Sequence, residues 1–182
     1  MNAPPRPLGG DAARALRARL RVLGYDEPGC TQRLGLAGPQ KIVQRAQAFR
    51  MVGARAQFQP RTGEGVTPLD LLIALFLYGV AAPRDAVGAA VGTAALDALS
   101  DCGLVREDGP GQLQATAMLF PCQHLYLATD RLDADRAQNP VMPLFPESYD
   151  LGRIAVRAPV ERSLDVCTGS GIHALLAARH PR

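Results

Sequence analysis

Apolar residues recur at helical spacing through the first part of the chain. Leucines at positions 16, 20 and 23 follow the i, i+4, i+7 spacing of an amphipathic helix, with arginines on the other face. Asp11 is placed to cap this helix and Gly24 to end it. A short helical turn is expected near 31–34. A second helix is predicted from Gly38-Pro39 to about Val52, with an apolar stripe of Ile42, Val43, Ala46 and Phe49.

Between residues 62 and 131 the pattern predicts short helices followed by alternating strands. Thr67 caps a helix that begins at Pro68 and ends before Gly79. Two more helices are predicted at 84–91 and 94–101, the latter capped by Thr93, and two strands at 113–119 and 125–128. Three short helices followed by a β-hairpin is the order of a winged helix.

A proline-rich stretch separates this region from the last part of the chain. Three prolines lie between positions 140 and 146, which favours an extended linker. Ser148 is expected to cap a short helix over 149–156. A strand is then predicted at Ser163–Cys167, followed by a glycine-rich turn and another helix.

Charge divides the chain into two unequal parts. Residues 1–61 carry 11 Lys+Arg against 3 Asp+Glu, and residues 62–182 carry 9 against 14, so the halves are +8 and −5. The basic helices present either solvated arginine faces or a contact surface for RNA or an acidic protein. The predicted winged-helix region, 66–131, has 3 arginines against 7 acids. Because DNA binding requires several phosphate contacts from basic side chains, sequence-specific DNA binding is not expected there.

Several classes of protein are disfavoured by the sequence. The N-terminus has no apolar signal-peptide region, and the most apolar run, 71–82, is shorter than the roughly 20 residues that span a bilayer. The four cysteines show no metal-ligand spacing. We therefore expect a cytoplasmic protein with reduced cysteines, no membrane partner and no metal site.

The most informative segment is the strand–turn–helix pattern at residues 163–176. Gly169 and Gly171 lack Cβ atoms and allow a ligand to approach the backbone, and the helix start that follows directs free N–H groups to the same place. This layout suits a carboxylate or a phosphate, and Gly169, Gly171 and Ala174 also fit the nicotinamide fingerprint. Asp165, however, would repel a pyrophosphate, whereas it suits the ammonium and sulfonium of S-adenosyl-L-methionine, which we favour over NAD.

These residues resemble motif I of the class I S-adenosylmethionine-dependent methyltransferases, Asp-x-Gly-x-Gly-x-Gly. Asp165, Gly169 and Gly171 match this motif, and Cys167 replaces its first glycine. The spelling is especially similar to the protein-glutamine methyltransferases that act on release factors and a ribosomal protein. The layout also resembles bacterial small-domain methyltransferases. The resemblance covers roughly residues 141–180.

The resemblance implies a cofactor site and a role for some of its residues. Gly169 and Gly171 would face the methionine part of the cofactor, Asp165 would order the loop and the amino group, and Cys167 would pack beneath the adenosine. The complete cofactor-binding set is Asp165, Cys167, Thr168, Gly169, Ser170 and Gly171. No catalytic residue is assigned.

The sequence therefore predicts an α+β chain, with a helical, winged-helix-like part followed by the first βα unit of a Rossmann-like methyltransferase domain. Because one βα unit cannot form a doubly wound sheet, we expect a truncated methyltransferase that is inactive alone. The expected divisions are a disordered 1–10, a basic helical segment 11–61, a winged-helix-like domain 62–131, a linker 132–147 and the incomplete domain 148–182.

The expected activity is N-methylation of a protein side chain or a nucleic-acid base. The partner would be a protein or RNA substrate, with an association with translation as one option. Two alternatives stay open: a non-enzymatic winged-helix adaptor, and the start of an NAD-binding oxidoreductase.

Overall fold

A computed structural model of the chain describes residues 9–51, 65–131, 141, 144–155, 158, 161–162, 164–166 and 168–178. It is a mixed α/β structure with small antiparallel sheets, in agreement with the predicted α+β class. Most of residues 1–10 and 132–147, and Val156, lie outside the described residues, so those expectations stay predictions.

Three helices come first in the described chain. They are α1 (Gly10–Val22), α2 (Glu27–Leu34) and α3 (Gln40–Met51). The predicted first and second long helices are confirmed, and the expected turn near 31–34 is a complete helix. The Asp26 side chain accepts a hydrogen bond from Gly29 N at 2.8 Å and so caps α2.

A helix with a change of register follows. α4 (Pro68–Leu72) starts at a capping box, in which Thr67 and Asp70 satisfy each other's backbone N–H groups. Residues Ile73–Tyr78 continue as a π-helix whose six side chains are all buried, and Gly79 ends it at φ 64°. The predicted limits of this helix are confirmed, but the π-helical register was not foreseen.

The next elements are a three-stranded sheet and two helices, which lie between its first and second strands in the sequence. β1 (Ala82–Pro83) leads into α5 (Arg84–Val91) and α6 (Thr93–Asp101), and β2 (Val105–Glu107) and β3 (Gln112–Ala115) form a hairpin. The strand order is β1-β3-β2, all antiparallel, with Ala82 opposite Leu113 and Val105 opposite Ala115. Thus the short β1, which the sequence pattern did not indicate, joins the hairpin.

A second hairpin consists of β4 (Ala117–Cys122) and β5 (Leu125–Asp130). The single strand predicted over 113–119 is wrong, because it is divided between two sheets at Thr116. The Thr116 backbone N–H donates to Leu104 O at 3.0 Å and its hydroxyl to Gly103 O at 2.5 Å, which turns the chain out of the first sheet. All six residues of β4 are buried, so the alternation ends there.

Three predicted helix caps are also wrong. Asp11 lies in the first turn of α1 and pairs with Arg14 instead of capping. Gly92, at φ 89°, precedes α6 in place of a Thr93 cap. In α7 (Pro146–Ile154) the fixed φ of Pro146 starts the helix two residues before Ser148.

One hydrophobic core receives side chains from both ends of the described chain. It includes residues of the N-terminal helices, both sheets, α7 and α8 (Ile172–Ala177), among them Leu20, Tyr25, Ile42, Phe76, Leu99, Leu113, Phe120, Tyr149 and Ile172. The C-terminal helices α7 and α8 are therefore packed on the described residues of 9–131, which we call the N-terminal part. The boundaries proposed between domains stay a prediction.

Candidate functional site

The glycine-rich turn predicted from the sequence is present, and it leads directly into α8. Gly171 N donates to Thr168 O at 2.8 Å, which closes a four-residue turn. Gly169 and Gly171 have φ values of 54° and 76°. A residue with a Cβ atom is disfavoured at both positions, because it rarely adopts the left-handed region.

Asp165 ties this turn to the helix that follows. Its carboxylate Oδ2 accepts a hydrogen bond from Ala174 N, in the first turn of α8, at 3.0 Å. Its carbonyl oxygen accepts from the Thr168 hydroxyl at 2.9 Å. Asp165 therefore holds the turn on one side and the start of α8 on the other, and both contacts depend on its position before the two glycines.

The structure brings five of the six predicted cofactor-binding residues into this one loop, which we call the Asp165 loop (Asp165 to Gly171). Thr168 and Gly169 are exposed, and Ser170 and Gly171 are half-buried. Cys167 lies outside the described residues. Among the described atoms, a Cβ built on Gly171 would meet only Thr168 Cγ2, at 3.8 Å, so no described residue fills the space beside Gly171.

The strand predicted before the loop is not formed in its described residues. Leu164 and Asp165 have no regular structure and Val166 lies in a turn. A strand is held by hydrogen bonds to a neighbour, and no described residue pairs with this segment. Leu164 and Val166, which should be buried in a central strand, are 87% and 72% exposed. The predicted strand is therefore wrong over 164–166.

The electrostatics of the loop differ from the expectation that a helix start would attract an anion. α8 has only six residues, so its dipole is small, and the carboxylate of Asp165 already accepts from its first turn. The charge nearest to the helix start is consequently negative. A cationic group fits beside this loop better than a phosphate or a carboxylate does.

The C-terminal helices anchor the Asp165 loop to the N-terminal part. Ile172 and Leu176 of α8 are buried, and α8 packs on α7. In α7 the Tyr149 hydroxyl donates to Pro121 O of β4 at 2.7 Å, and Gln47 Nε2 of α3 donates to Leu144 O at 3.0 Å. Burial raises the pKa of Tyr149 well above its ordinary value, so this hydroxyl stays a donor.

The surface that a winged helix would present to DNA is acidic in its described residues. Asp97 and Asp101 of α6 are exposed, as are Glu107 and Asp108 at the β2–β3 turn. Arg106 is exposed between them. This charge does not favour phosphate contacts.

A buried ion pair was missed by the sequence analysis. Arg33 of α2 donates through Nε and Nη2 to the two carboxylate oxygens of Asp70, both at 2.7 Å. The Thr67-x-x-Asp70 spacing indicates the capping box, but no local pattern indicates an arginine 37 residues away. The pair links α2 to α4 and belongs to the structure of the N-terminal part.

The described part of the chain has neither a metal-binding cluster nor a membrane-spanning helix. No group of three or more His, Cys, Asp and Glu side chains is arranged to hold a metal ion. None of the helices in those ranges combines the length and apolar character needed to cross a membrane.

The described chain is thus a mixed α/β protein in which the carboxylate of Asp165 closes a turn that contains two glycines. Residues 22–116, just over half of the chain, match the family model described as "Domain of unknown function (DUF7059)". The chain therefore belongs to this family. The matched range ends before the Asp165 loop. A search of curated proteins finds no match.

Proposed function

We propose that this protein is an S-adenosyl-L-methionine-dependent methyltransferase that binds its cofactor at the Asp165 loop and modifies a nitrogen of a protein side chain or a nucleic-acid base. One observation carries the proposal: the carboxylate of Asp165 closes a turn with two left-handed glycines, and no described residue fills the space beside Gly171. This arrangement also agrees with the resemblance to motif I.

The charge of the loop supports this cofactor over a nicotinamide dinucleotide. A pyrophosphate would have to approach the carboxylate of Asp165, which already accepts from Ala174 N. S-adenosylmethionine carries an ammonium and a sulfonium, and both are attracted by that carboxylate. The NAD-binding alternative is therefore the weaker one.

Four residues of the loop have a proposed part in holding the cofactor. Gly169 and Gly171 leave room for its methionine part, and Asp165 keeps the turn in shape while it attracts the amino group. Cys167 stays a predicted neighbour of the adenosine. The bound cofactor supplies a methyl group on a sulfonium, and the protein contributes by orienting it.

For the region 66–131 we propose a winged-helix architecture that packs against the rest or presents a substrate. The helix–strand–helix–helix–strand–strand order and the β1-β3-β2 sheet support it. The acidic residues of α6 and of the β2–β3 turn argue against duplex DNA as its partner.

A titration followed by NMR amide shifts tests cofactor binding even when the affinity is only millimolar. S-adenosylmethionine should shift the amides of residues 168–174, whereas NAD at the same concentration should not. Asp165→Asn should weaken binding at least about tenfold, because a hydrogen bond to a charged group contributes about 1.5–3 kcal/mol. Asp150→Asn, an exposed acid on α7, is the matched control and should bind normally.

Absence of any shift, or shifts that Asp165→Asn leaves unchanged, would refute the cofactor site. The second candidate, a non-enzymatic adaptor, would then be favoured. Its support is that the family match covers the winged-helix-like elements up to β3 and stops before the loop.

A further inference from the structure

The side chains of α1 lie in three environments: the core, the end of α5 and the solvent. Leu16 and Leu20 are buried in the core. The Arg19 guanidinium donates to Ala90 O, at the end of α5, at 3.1 Å from Nε and 2.6 Å from Nη2. This contact satisfies a free carbonyl at a helix C-terminus. These three residues hold α1 in place and leave its outer side to the solvent.

Three exposed arginines line that outer side. Arg14, Arg17 and Arg21 follow the i, i+3, i+7 spacing of one helix face, and we call them the arginine stripe. At a rise of about 1.5 Å per residue the stripe is roughly 10 Å long. Ala15 and Ala18 lie beside it and are also exposed, so an extended chain can approach α1 closely.

Among the described residues, Asp11 alone forms an ion pair with the stripe. Arg14 forms an ion pair with Asp11, but that carboxylate is 97% exposed, and such surface pairs are weak and easily exchanged. Arg21 donates to the neutral carbonyl oxygen of His124 at 3.1 Å, which orients it without removing its charge. The Asp26 carboxylate, beyond the end of α1, is engaged as the cap of α2.

We propose that the arginine stripe binds the phosphodiester backbone of single-stranded RNA. Guanidinium groups bind phosphate through two parallel hydrogen bonds. A protein partner would instead require a central aromatic or aliphatic anchor, whereas Val22 is the sole large apolar side chain exposed on α1. The surface is thus charged and regular but without an apolar centre, as phosphate binding requires.

The neighbourhood of α1 also favours a single strand over a duplex. α1 packs against α6, whose Asp97 and Asp101 are exposed, and Asp85 of α5 is exposed as well. A duplex is wide enough to bring its second strand towards these carboxylates, whereas one strand can follow the stripe alone. RNA is the nucleic acid that is ordinarily single-stranded, so it is the partner that we assign.

This inference rests on the proposed function in one respect: the bound RNA would be the molecule that carries the methylated nitrogen. Binding is measured by fluorescence anisotropy with a labelled single-stranded RNA and without cofactor, so the two proposals can fail separately. The test variant combines Arg14→Ala, Arg17→Ala and Arg21→Ala. The matched control combines Arg106→Ala, Arg153→Ala and Arg162→Ala, which remove the same charge from other exposed positions.

The stripe variant should bind RNA at least tenfold more weakly than the parent protein. The slope of log K against log salt should decrease by about 2, because each phosphate contact to a single strand contributes about 0.7. The control should keep the parent slope, and both variants should keep the parent melting curve, since all six arginines are exposed. Single-stranded DNA of the same sequence should bind no more tightly than the RNA.

Equal weakening by both variants, or none by the stripe variant, would overturn the proposal. Polyglutamate that competes as well as unlabelled RNA would identify an acidic protein as the partner instead. Duplex DNA that binds as tightly as the single strand, or single-stranded DNA that binds more tightly than RNA, would contradict the assignment to single-stranded RNA.

Discussion

Asp70 is fully buried, and it is the only carboxylate in the described residues with that property. It accepts hydrogen bonds from Arg33, from Thr67 N at 2.9 Å and from the Thr67 hydroxyl at 2.8 Å. Burial alone would raise the pKa of Asp70, but the hydrogen bonds from Arg33 and Thr67 outweigh it and hold the pKa below 3.8. The side chain is therefore ionised in the folded protein.

Replacing this carboxylate should be costly. We expect Asp70→Asn to lower the free energy of unfolding by about 3 kcal/mol or more, because it removes the charge at the fully buried end of the ion pair with Arg33. Urea denaturation measures the loss. Asp97→Asn, an exposed acid on α6, should change stability by less than about 0.5 kcal/mol. A similar small change in Asp70→Asn would contradict the role given to the pair.

The same carboxylate predicts a dependence of stability on pH. Because its pKa is lower in the folded state than the ordinary 3.8, its stabilisation is complete above that pH and is lost as the pH falls through the folded value. Below pH 4 the parent protein should therefore lose stability more steeply than Asp70→Asn. Denaturation curves recorded between about pH 2 and pH 5, a range that includes the ordinary pKa of Asp, check this difference.

At the scale of elements, the helices with regular apolar spacing could be predicted from the sequence. Most other elements were predicted in the right place but with different caps or limits. Leu16 and Leu20 of α1, like Ile42 and Val43 of α3, are buried as their spacing requires. β1 has two residues and exists because it pairs with β3, so its own sequence contains too little information. The strand predicted over 164–166 is not formed, although its residues alternate between apolar and polar. Such a segment becomes a strand only beside a neighbouring strand, and no described residue pairs with it.

The candidate site shows the same limit. The positive φ angles at Gly169 and Gly171 could be predicted, because a turn of this kind requires residues without Cβ atoms. The hydrogen bond from Ala174 N to Asp165, nine residues apart, depends on how the turn closes, so its geometry could not be read from spacing. The contact of Tyr149 with Pro121 depends on the core and has no local signal.

The tip of the β4–β5 hairpin is a strained two-residue turn. Gln123 and His124 have φ values of 45° and 67°, and Cys122 pairs with Leu125. Two consecutive left-handed residues between paired strands are typical of a type I′ turn, which prefers Asn-Gly. The His124 carbonyl that accepts from Arg21 belongs to the backbone, so it does not depend on the side chain.

We expect the double variant Gln123→Asn/His124→Gly to raise the free energy of unfolding by about 0.5–1 kcal/mol, because it removes side chains that disfavour the left-handed region. Thermal and urea denaturation measure the gain. Ala128→Gly, in the exposed row of β5, introduces a glycine into a regular strand and should lower stability by about 0.5–1 kcal/mol. A loss of stability in the double variant would show that the turn is not strained.

For the whole molecule, the contact between α7 and β4 decides how the Asp165 loop is held. Tyr149→Phe removes one hydroxyl and leaves the buried Pro121 O without its donor, which should cost about 1–3 kcal/mol. Because α8 packs on α7, the amides of α8 should also exchange with deuterium faster than in the parent protein.

The matched control is Tyr126→Phe. The Tyr126 hydroxyl donates to Tyr25 O at the same distance, 2.7 Å, but the bond lies wholly within the N-terminal part. This variant should lose stability without a selective change in α8. If the two variants accelerate exchange in α8 equally, Tyr149 does not have the specific coupling that we assign to it.

The shared core also has a consequence for synthesis on the ribosome. Residues 9–131 leave the exit tunnel before Leu144 and Tyr149, so the hairpin β4–β5 is exposed for a time with an unfilled space beside Pro121. Nascent chains with apolar surface of this kind are prone to aggregate and are typical clients of chaperones. The time between the emergence of β5 and the emergence of Tyr149 therefore sets how long this vulnerable state persists in the cell.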